Sequence, residues 1–206
     1  MVIKRFKKKH RAASDVLEDA VRQYQTDNVT VGELMHALHE RGFGILLVIF
    51  VLPNCVPIPA PGLVSLTAFP LFFIASQLVI GRDSPWLPNF ISRKKIRRTL
   101  LARIVAKASP WMRKVEKLLR ARLSFASSNT GERIIGIFCL LFTCCIAIPL
   151  PWTNFIPGYG VLIMALGLLS RDGVTILIGM AVGLVGTSLT VGVLIFGFDA
   201  VRAIVG

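Results

Sequence analysis

The chain has 206 residues, of which 54% are hydrophobic and only 17% are charged, and its mean hydropathy is +0.67. Soluble domains carry about 25% charged residues, so this composition excludes a disordered chain and argues against an ordinary soluble globule. The net charge is +13, but most of the cations lie in two blocks: eight of the 24 Lys and Arg lie in 1–42 and twelve lie in 93–123.

Three segments of the chain carry no charged residue: 43–81, 134–170 and 173–198. Each is longer than the roughly 18–20 apolar residues that cross a bilayer. The sequence therefore predicts an all-α, polytopic membrane protein whose partner is the lipid bilayer. Because cytoplasmic loops of membrane proteins are rich in Lys and Arg, the basic blocks need no nucleic acid to explain them, and we expect none to bind.

Residues 1–42 are predicted to form amphipathic helices on the cytoplasmic side. Ser14 suits the N-cap of a first helix. Thr30 and Glu33 have the spacing of a capping box, in which the two residues satisfy each other's backbone N–H groups. A second helix should therefore begin at Val31, and we expect it to run through Arg41 towards the membrane.

The first charge-free segment, 43–81, is predicted to be a broken hairpin. Proline removes a helical N–H and clashes with the preceding turn, so Pro57 and Pro59 should interrupt the helix within about two residues. The arms on either side, 43–56 and 63–80, would be about 21 and 27 Å long. Both are shorter than the hydrocarbon core of about 30 Å, which is typical of re-entrant hairpins.

The connector, 82–132, differs from its neighbours because it is strongly basic. A turn that contains Trp86 suits the membrane interface. Cations then alternate with apolar residues, a pattern that indicates either an interfacial amphipathic helix or a solvated cytoplasmic loop. We expect any helix here to be interrupted at Ser109 and Pro110.

The chain contains an internal repeat with an offset of 92 residues. Seven identities occur in the twenty positions 40–59. The second unit, 133–170, is therefore predicted to be a second broken hairpin. With a three-residue deletion, the two units also end on matching Arg-Asp pairs, Arg82-Asp83 and Arg171-Asp172. The identities within 40–59 are Glu40/Glu132, Arg41/Arg133, Gly44/Gly136, Ile45/Ile137, Phe50/Phe142, Pro57/Pro149 and Pro59/Pro151.

The last charge-free segment, 173–198, is long enough for one transmembrane helix. Gly179, Gly183, Gly186 and Thr190 recur at three- and four-residue spacing and place small residues on one face. Such a face permits close approach of another helix. We expect that approach to occur within the bundle rather than in a dimer.

The sequence contains no recognised catalytic or metal-binding motif. His36 and His39 with Glu40 match no zinc-protease pattern, and we expect neither an enzyme nor a cofactor. Duplicated, interrupted segments instead point to a binding site between repeats, and arginine suits an anionic headgroup. Alternatively, the Glu-Arg pairs anchor helices at the interface. The predicted substrate-binding residues are Glu40, Arg41, Asn54, Pro57, Pro59, Glu132, Arg133, Pro149, Pro151 and Asn154.

The run from His39 to Ile45 and the segments Pro57-Ile58-Pro59-Ala60-Pro61-Gly62, Phe69-Pro70-Leu71 and Gly81-Arg82-Asp83-Ser84-Pro85-Trp86 resemble the ExoD family. These are bacterial membrane proteins associated with exopolysaccharide synthesis, and the resemblance covers about 14–200. It carries over no catalytic residues. The broken, duplicated hairpins are also similar, at the level of fold alone, to the DedA-type membrane proteins, whose acidic motifs have no counterpart at the prolines here.

The resemblance implies a multi-pass protein of the bacterial inner membrane that acts in exopolysaccharide synthesis. Our leading hypothesis is that it binds or translocates an anionic, lipid-linked sugar intermediate. Two alternatives remain open. The protein could scaffold the polysaccharide synthesis proteins through its basic cytoplasmic face, or it could transport a small solute or ion.

Overall fold

The computed structural model describes residues 28–39, 41–56, 61–119, 128–148 and 153–205. Nearly all of these residues are helical, and a short two-stranded ribbon accompanies the helices. The elements are β1 (Asn28–Thr30), α1 (Val31–Leu38), α2 (Arg41–Val51), a 3₁₀ turn (Leu52–Cys55), α3 (Pro61–Ile80), α4 (Asn89–Ser92), β2 (Lys95–Arg97), α5 (Arg98–Leu118), α6 (Asn129–Ala147), α7 (Phe155–Ser170) and α8 (Gly173–Val205).

The predicted capping box is confirmed at the start of α1. The Thr30 hydroxyl accepts a hydrogen bond from the Glu33 N–H (3.2 Å), and the Glu33 carboxylate accepts one from the Thr30 N–H (2.8 Å). The predicted continuation to Arg41 is wrong. The helix ends at Leu38 because His39 has a left-handed φ of 50°, which an α-helix of L-residues cannot continue. Ser14 lies outside the described residues.

Replacing Thr30 with alanine should loosen α1, because an N-cap of this kind stabilises a helix by about 1 kcal/mol. We expect amide exchange in 31–38 to become roughly fivefold faster. The Thr30 backbone N–H, and then its hydroxyl, hold the pKa of Glu33 below its usual value. A depressed carboxyl pKa stabilises the folded state above the unfolded-state pKa, and this contribution is lost as the pH falls through the folded-state pKa. Hydrogen exchange at decreasing pH, corrected for the intrinsic rate, should show α1 loosening in the wild type.

At each predicted proline break, one helix ends before the break and the next helix begins after it. Helix α2 and its 3₁₀ turn end at Cys55, the next residue, Val56, is extended, and α3 starts at Pro61. Helix α6 ends at Ala147, Ile148 is extended, and α7 starts at Phe155. The predicted interruption of the helix within 50–70 is therefore confirmed. Pro57, Pro59, Pro149 and Pro151 themselves lie outside the described residues.

The connector was only partly predicted. Helix α5 passes through Pro110 without a break, so the expected interruption at Ser109 and Pro110 is wrong. A proline inside a helix removes one hydrogen bond and bends the axis, and the remaining turns can still continue. The sequence analysis also missed the antiparallel ribbon, in which Val29 faces Ile96 and ties the start of α1 to the connector.

The four arms are α2 and α3 of the first hairpin and α6 and α7 of the second, and they pair across the two halves of the chain. Helix α2 packs on α7, and α3 packs on α6. In each pair, the backbones of the two helices approach each other closely at a glycine. A Cβ on Gly44 would lie 3.2 Å from the Leu169 backbone nitrogen, and one on Gly136 would lie 2.6 Å from the Val79 backbone nitrogen. The two glycines are matched in the repeat, so corresponding positions make corresponding helix contacts.

Helix α8 packs along α7. A Cβ on Gly160 would lie 2.5 Å from the Cα of Gly183, and Thr190 is almost fully buried. The small-residue face therefore packs within the bundle, as predicted. In the part of the chain that the structure describes, two helices are long and apolar enough to cross a membrane, Asn129–Ala147 and Gly173–Phe196. The apolar helices Arg41–Cys55, Leu66–Ile80 and Phe155–Ser170 are shorter.

Candidate functional site

All four arms have their charge-bearing termini at one end of the bundle, which we call the arginine end. Arg41 begins α2, and Arg133 lies in the first turns of α6. The Arg133 guanidinium lies over Gly81, which follows the last residue of α3: a Cβ on Gly81 would be 2.8 Å from its Nε. Pro85 lies against Gly42, so the start of α2 is also at this end.

Arg133 occupies a position that suits a cation electrostatically. Gly81 has φ +80°, and the chain reverses there with hydrogen bonds from Gly81 N to Leu78 O and from Arg82 N to Gln77 O. The carbonyl groups at a helix C-terminus carry partial negative charge. The guanidinium of Arg133 is therefore placed to stabilise the end of α3, which agrees with the alternative that this arginine anchors a helix.

The end of α7 repeats this turn with a different residue. Arg171 N bonds to Leu168 O and Asp172 N bonds to Gly167 O. Arg171, with φ 54°, therefore takes the place that Gly81 takes after α3. The match that the sequence predicted between Arg82-Asp83 and Arg171-Asp172 is wrong by one position. The cause is that one turn uses glycine and the other uses arginine for the same left-handed residue.

Two buried acidic residues lie at the arginine end. Glu132, next to Arg133, is only 6% exposed, and Asp172 is 5% exposed. The Asp172 carboxylate accepts hydrogen bonds from the N–H groups of Val174 (3.0 Å) and Thr175 (3.5 Å) and from the Thr175 hydroxyl (3.0 Å). It therefore caps the N-terminus of α8. Glu40 lies outside the described residues.

The opposite ends of the arms, which we call the elbow end, carry buried amides. Asn54 is 3% exposed; its Nδ2 donates to Thr67 Oγ1 (2.9 Å) and to Phe50 O (3.3 Å). The Thr67 hydroxyl in turn lies 3.2 Å from Asn54 Oδ1. Because a buried amide must find hydrogen-bond partners, this pair fastens the 3₁₀ turn to α3.

Asn154 lies near the same place from the other half of the chain. It is buried just before α7, its carbonyl accepts the Gly158 N–H (3.0 Å), and its Oδ1 accepts the Thr153 hydroxyl (3.4 Å). A Cβ on Gly158 would lie 3.4 Å from Asn54 O. The structure therefore brings the surroundings of Asn54 and Asn154 together, although the repeat does not align these residues.

The sequence analysis missed two residues of the elbow end. The Tyr159 hydroxyl donates to Cys55 O (2.9 Å) and links the two halves. Thr187 of α8 accepts a weak hydrogen bond from Cys145 Sγ (3.7 Å) and donates to Gly183 O. Tyr159 is one of only two tyrosines in the chain. It lies four residues after the apolar Phe155, within a predicted membrane arm, and a hydroxyl in such an arm could have indicated a polar group inside the membrane.

The predicted site residues therefore form two groups rather than one. Arg41 and Asn54 are thirteen residues apart along α2 and its 3₁₀ turn, which corresponds to about 20 Å. The structure gathers Arg41, Arg133 and Glu132 at the arginine end and Asn54 with Asn154 at the elbow end. Substrate binding by either group stays a prediction.

The chain is similar to known proteins over most of its length. Residues 13–192 match the family described as "Exopolysaccharide synthesis, ExoD". The chain is 31% identical to an uncharacterised protein, slr1875, of Synechocystis sp. over 172 residues, which cover 83% of this chain and 81% of that one. It is 28% identical to Protein ExoD of Rhizobium meliloti over 170 residues, covering 81% and 70%. No solved structure matches it. The chain therefore belongs to the ExoD family, whose role is in exopolysaccharide synthesis.

Proposed function

We propose that this protein is a multi-pass protein of the bacterial inner membrane that binds or translocates an anionic, lipid-linked intermediate of exopolysaccharide synthesis. Family membership supports the pathway. The arrangement of the four arms supports a role in handling a lipid: the arms form two hairpins that point the same way, with cations at one end and buried polar groups at the other.

The two hairpins are best described as parallel repeats. We infer a pseudo-two-fold axis that runs along the helices, which the packing of α2 on α7 and of α3 on α6 supports. With all charged termini at one end, the positive-inside rule puts the arginine end and the basic connector on the cytoplasmic side. Parallel repeats require no additional crossing within the connector.

The position of the elbow end along α8 is the observation that carries the proposal. Pro157 of α7 lies against Gly186 of α8, and Gly186 is thirteen residues, or about 20 Å, from the start of α8 at Gly173. Helix α8 then continues to Val205. We propose that in a bilayer whose core is about 30 Å thick the hairpins are re-entrant, although α6 alone is long enough to cross, and that Asn54, Asn154 and Tyr159 lie inside the membrane.

Polar groups inside a membrane are costly and are usually functional. Arginine at the cytoplasmic end can bind a phosphate through two parallel hydrogen bonds. We propose that Arg41 and Arg133 attract the phosphate headgroup and that the elbow end offers polar partners part-way across the bilayer. The protein itself supplies no covalent chemistry in this mechanism and needs no cofactor.

Accessibility labelling tests the proposed topology. In a background without the four native cysteines, single cysteines replace Ser84 at the arginine end or Leu52 beside the elbow end. We expect a membrane-impermeant maleimide to label Ser84→Cys from the cytoplasmic side only and Leu52→Cys from neither side. Labelling of Leu52→Cys from the periplasm, at the rate found for Ser84→Cys from the cytoplasm, would mean that the first hairpin crosses the bilayer completely.

A double substitution separates a functional from a structural role of Asn54. Asn54→Leu alone leaves Thr67 buried without its hydrogen bonds to Asn54, which costs about 1–3 kcal/mol, so folded protein should decrease. Asn54→Leu with Thr67→Val removes both partners and should restore folded protein. We expect the double variant to remain deficient in polysaccharide output. Output that recovers together with folded protein would show that Asn54 only holds the turn in place.

The scaffold alternative makes the opposite prediction. A scaffold that acts through the connector should lose output when its exposed cations are neutralised, and it should tolerate the Asn54 and Thr67 double substitution. Measuring output and membrane-inserted protein for both variants in a strain that lacks the native gene distinguishes the two functions.

A further inference from the structure

One stripe of the basic connector is buried inside the protein. Leu101, Val105 and Ser109 follow one another at four-residue spacing along α5, and each is at most 6% exposed. Leu101 and Val105 belong to the core of the molecule. An amphipathic helix that lies in a membrane inserts its apolar face into the lipid. Leu101 and Val105 are packed in the core, so these two side chains of α5 do not insert into lipid.

The opposite face of α5 is basic and exposed. At about 100° per residue, Arg103, Lys107 and Lys114 lie within about 40° of one another and point away from the buried stripe. All three are exposed. Four further exposed cations precede the helix, and together these seven residues are called the basic face: Arg93, Lys94, Lys95, Arg97, Arg103, Lys107 and Lys114.

Exposed aromatic residues lie directly before the basic face. Trp86 is 49% exposed and Phe90 is 71% exposed. Trp86 is held firmly, because both of its backbone polar groups bond to the side chain of Gln77 (2.6 and 3.1 Å) and its ring contacts Phe73 (centroids 5.7 Å apart). Aromatic rings beside clustered cations are typical of the membrane–water interface. The exposed Trp86 and Phe90 therefore suit the headgroup level of a bilayer.

We propose that the basic face binds the anionic lipid headgroups of the cytoplasmic leaflet by charge alone, separately from any substrate at the arginine end. The charges are complementary, since the anionic surface attracts a cation held near it with about 1 kcal/mol, or about fivefold in affinity. The ribbon between β1 and β2 fixes the position of the connector, so that these cations are held together at the interface. Binding by charge without insertion should be strongly weakened by salt.

Trp86 can report the binding. The full-length protein carrying Trp111→Phe and Trp152→Phe is reconstituted into phosphatidylcholine vesicles that contain either brominated phosphatidylglycerol or brominated phosphatidylcholine at equal mole fraction. Quenching of Trp86 gives the relative affinity for the two lipids. We expect a preference of about tenfold or more for the anionic lipid at low salt, which falls towards equality at high salt.

Neutralising three members of the basic face should abolish this preference. We expect Arg103→Gln with Lys107→Gln and Lys114→Gln to bring the ratio within about twofold of one, with thermal stability unchanged. The matched control, Lys7→Gln with Lys8→Gln and Lys9→Gln, removes the same net charge elsewhere and should keep the preference.

Three outcomes would overturn the proposal. A wild-type ratio of one would mean that the basic face does not select anionic lipid and would favour an acidic protein partner instead. An unchanged ratio in the basic-face variant would place lipid selection elsewhere on the molecule. An equal loss in both triple variants would show that the preference reflects net charge and not this surface. None of these results bears on Arg41 or Arg133, so the proposed function is tested separately.

Discussion

Gly183→Ala is expected to destabilise the fold strongly, although it adds a single methyl group. A Cβ at this position would overlap the ring of Phe142, which is fully buried. Gly160 of the neighbouring helix lies close to the backbone of Gly183, so the backbone has little room to move. Overpacking of a tight core costs about 1–3 kcal/mol, and more where the backbone must move. We therefore expect a cost of at least about 3 kcal/mol and a large fall in the thermal midpoint.

The same helix provides the control. No atom lies within 4 Å of the position that a Cβ would take on Gly192, so Gly192→Ala meets open space. Alanine is the better helix former by up to about 1 kcal/mol, and we expect this variant to unfold at the same or a slightly higher temperature. Size-exclusion profiles of detergent-solubilised protein after heating would compare the two. Equal midpoints for Gly183→Ala and Gly192→Ala would show that the close packing of α8 against α6 and α7 at Gly183 does not stabilise the protein.

Local signals in the sequence predicted the helices well. The capping box at Thr30 acts through neighbouring backbone and is found as predicted, and the helices end where the prolines predicted an interruption. The small-residue face of α8 was also predicted, because spacing alone shows where another helix can approach closely. The errors arose where tertiary contacts decide. Nothing local indicates that Val29 pairs with Ile96, sixty-seven residues away, or that a helix continues through Pro110.

The residues predicted to form one binding site lie in two separate groups for a related reason. Identical residues in two repeats mark equivalent positions, but they do not show which end of an arm approaches which. The Gly44 and Gly136 contacts pair each first arm with the second arm of the other half. This pairing puts the charged termini of the arms at one end and separates them from Asn54 and Asn154 by the length of an arm, whereas the sequence alone predicted both groups in a single site.

The arginine end carries the last prediction. Arg41→Ala and Arg133→Ala should each abolish polysaccharide output while the protein remains folded and inserted at normal levels. Lysine should substitute only in part, because an ammonium group lacks the planar pair of donors with which arginine binds a phosphate. The measurements are secreted polysaccharide and membrane-inserted protein in a strain that lacks the native gene.

Arg133 makes this test demanding, because its guanidinium already lies against the end of α3. If Arg133 only stabilises that helix terminus, any cation should serve there. Arg133→Lys would then restore output fully, and the loss in Arg133→Ala would follow the loss of folded protein. The contact of Arg133 with Gly81 has no glycine counterpart in the other half, where Arg171 takes that position. Comparing the Arg41 and Arg133 variants should therefore separate a shared role in headgroup binding from a helix-terminal role. Normal output from a well-expressed Arg41→Ala, Arg133→Ala double variant would rule out headgroup binding at the arginine end.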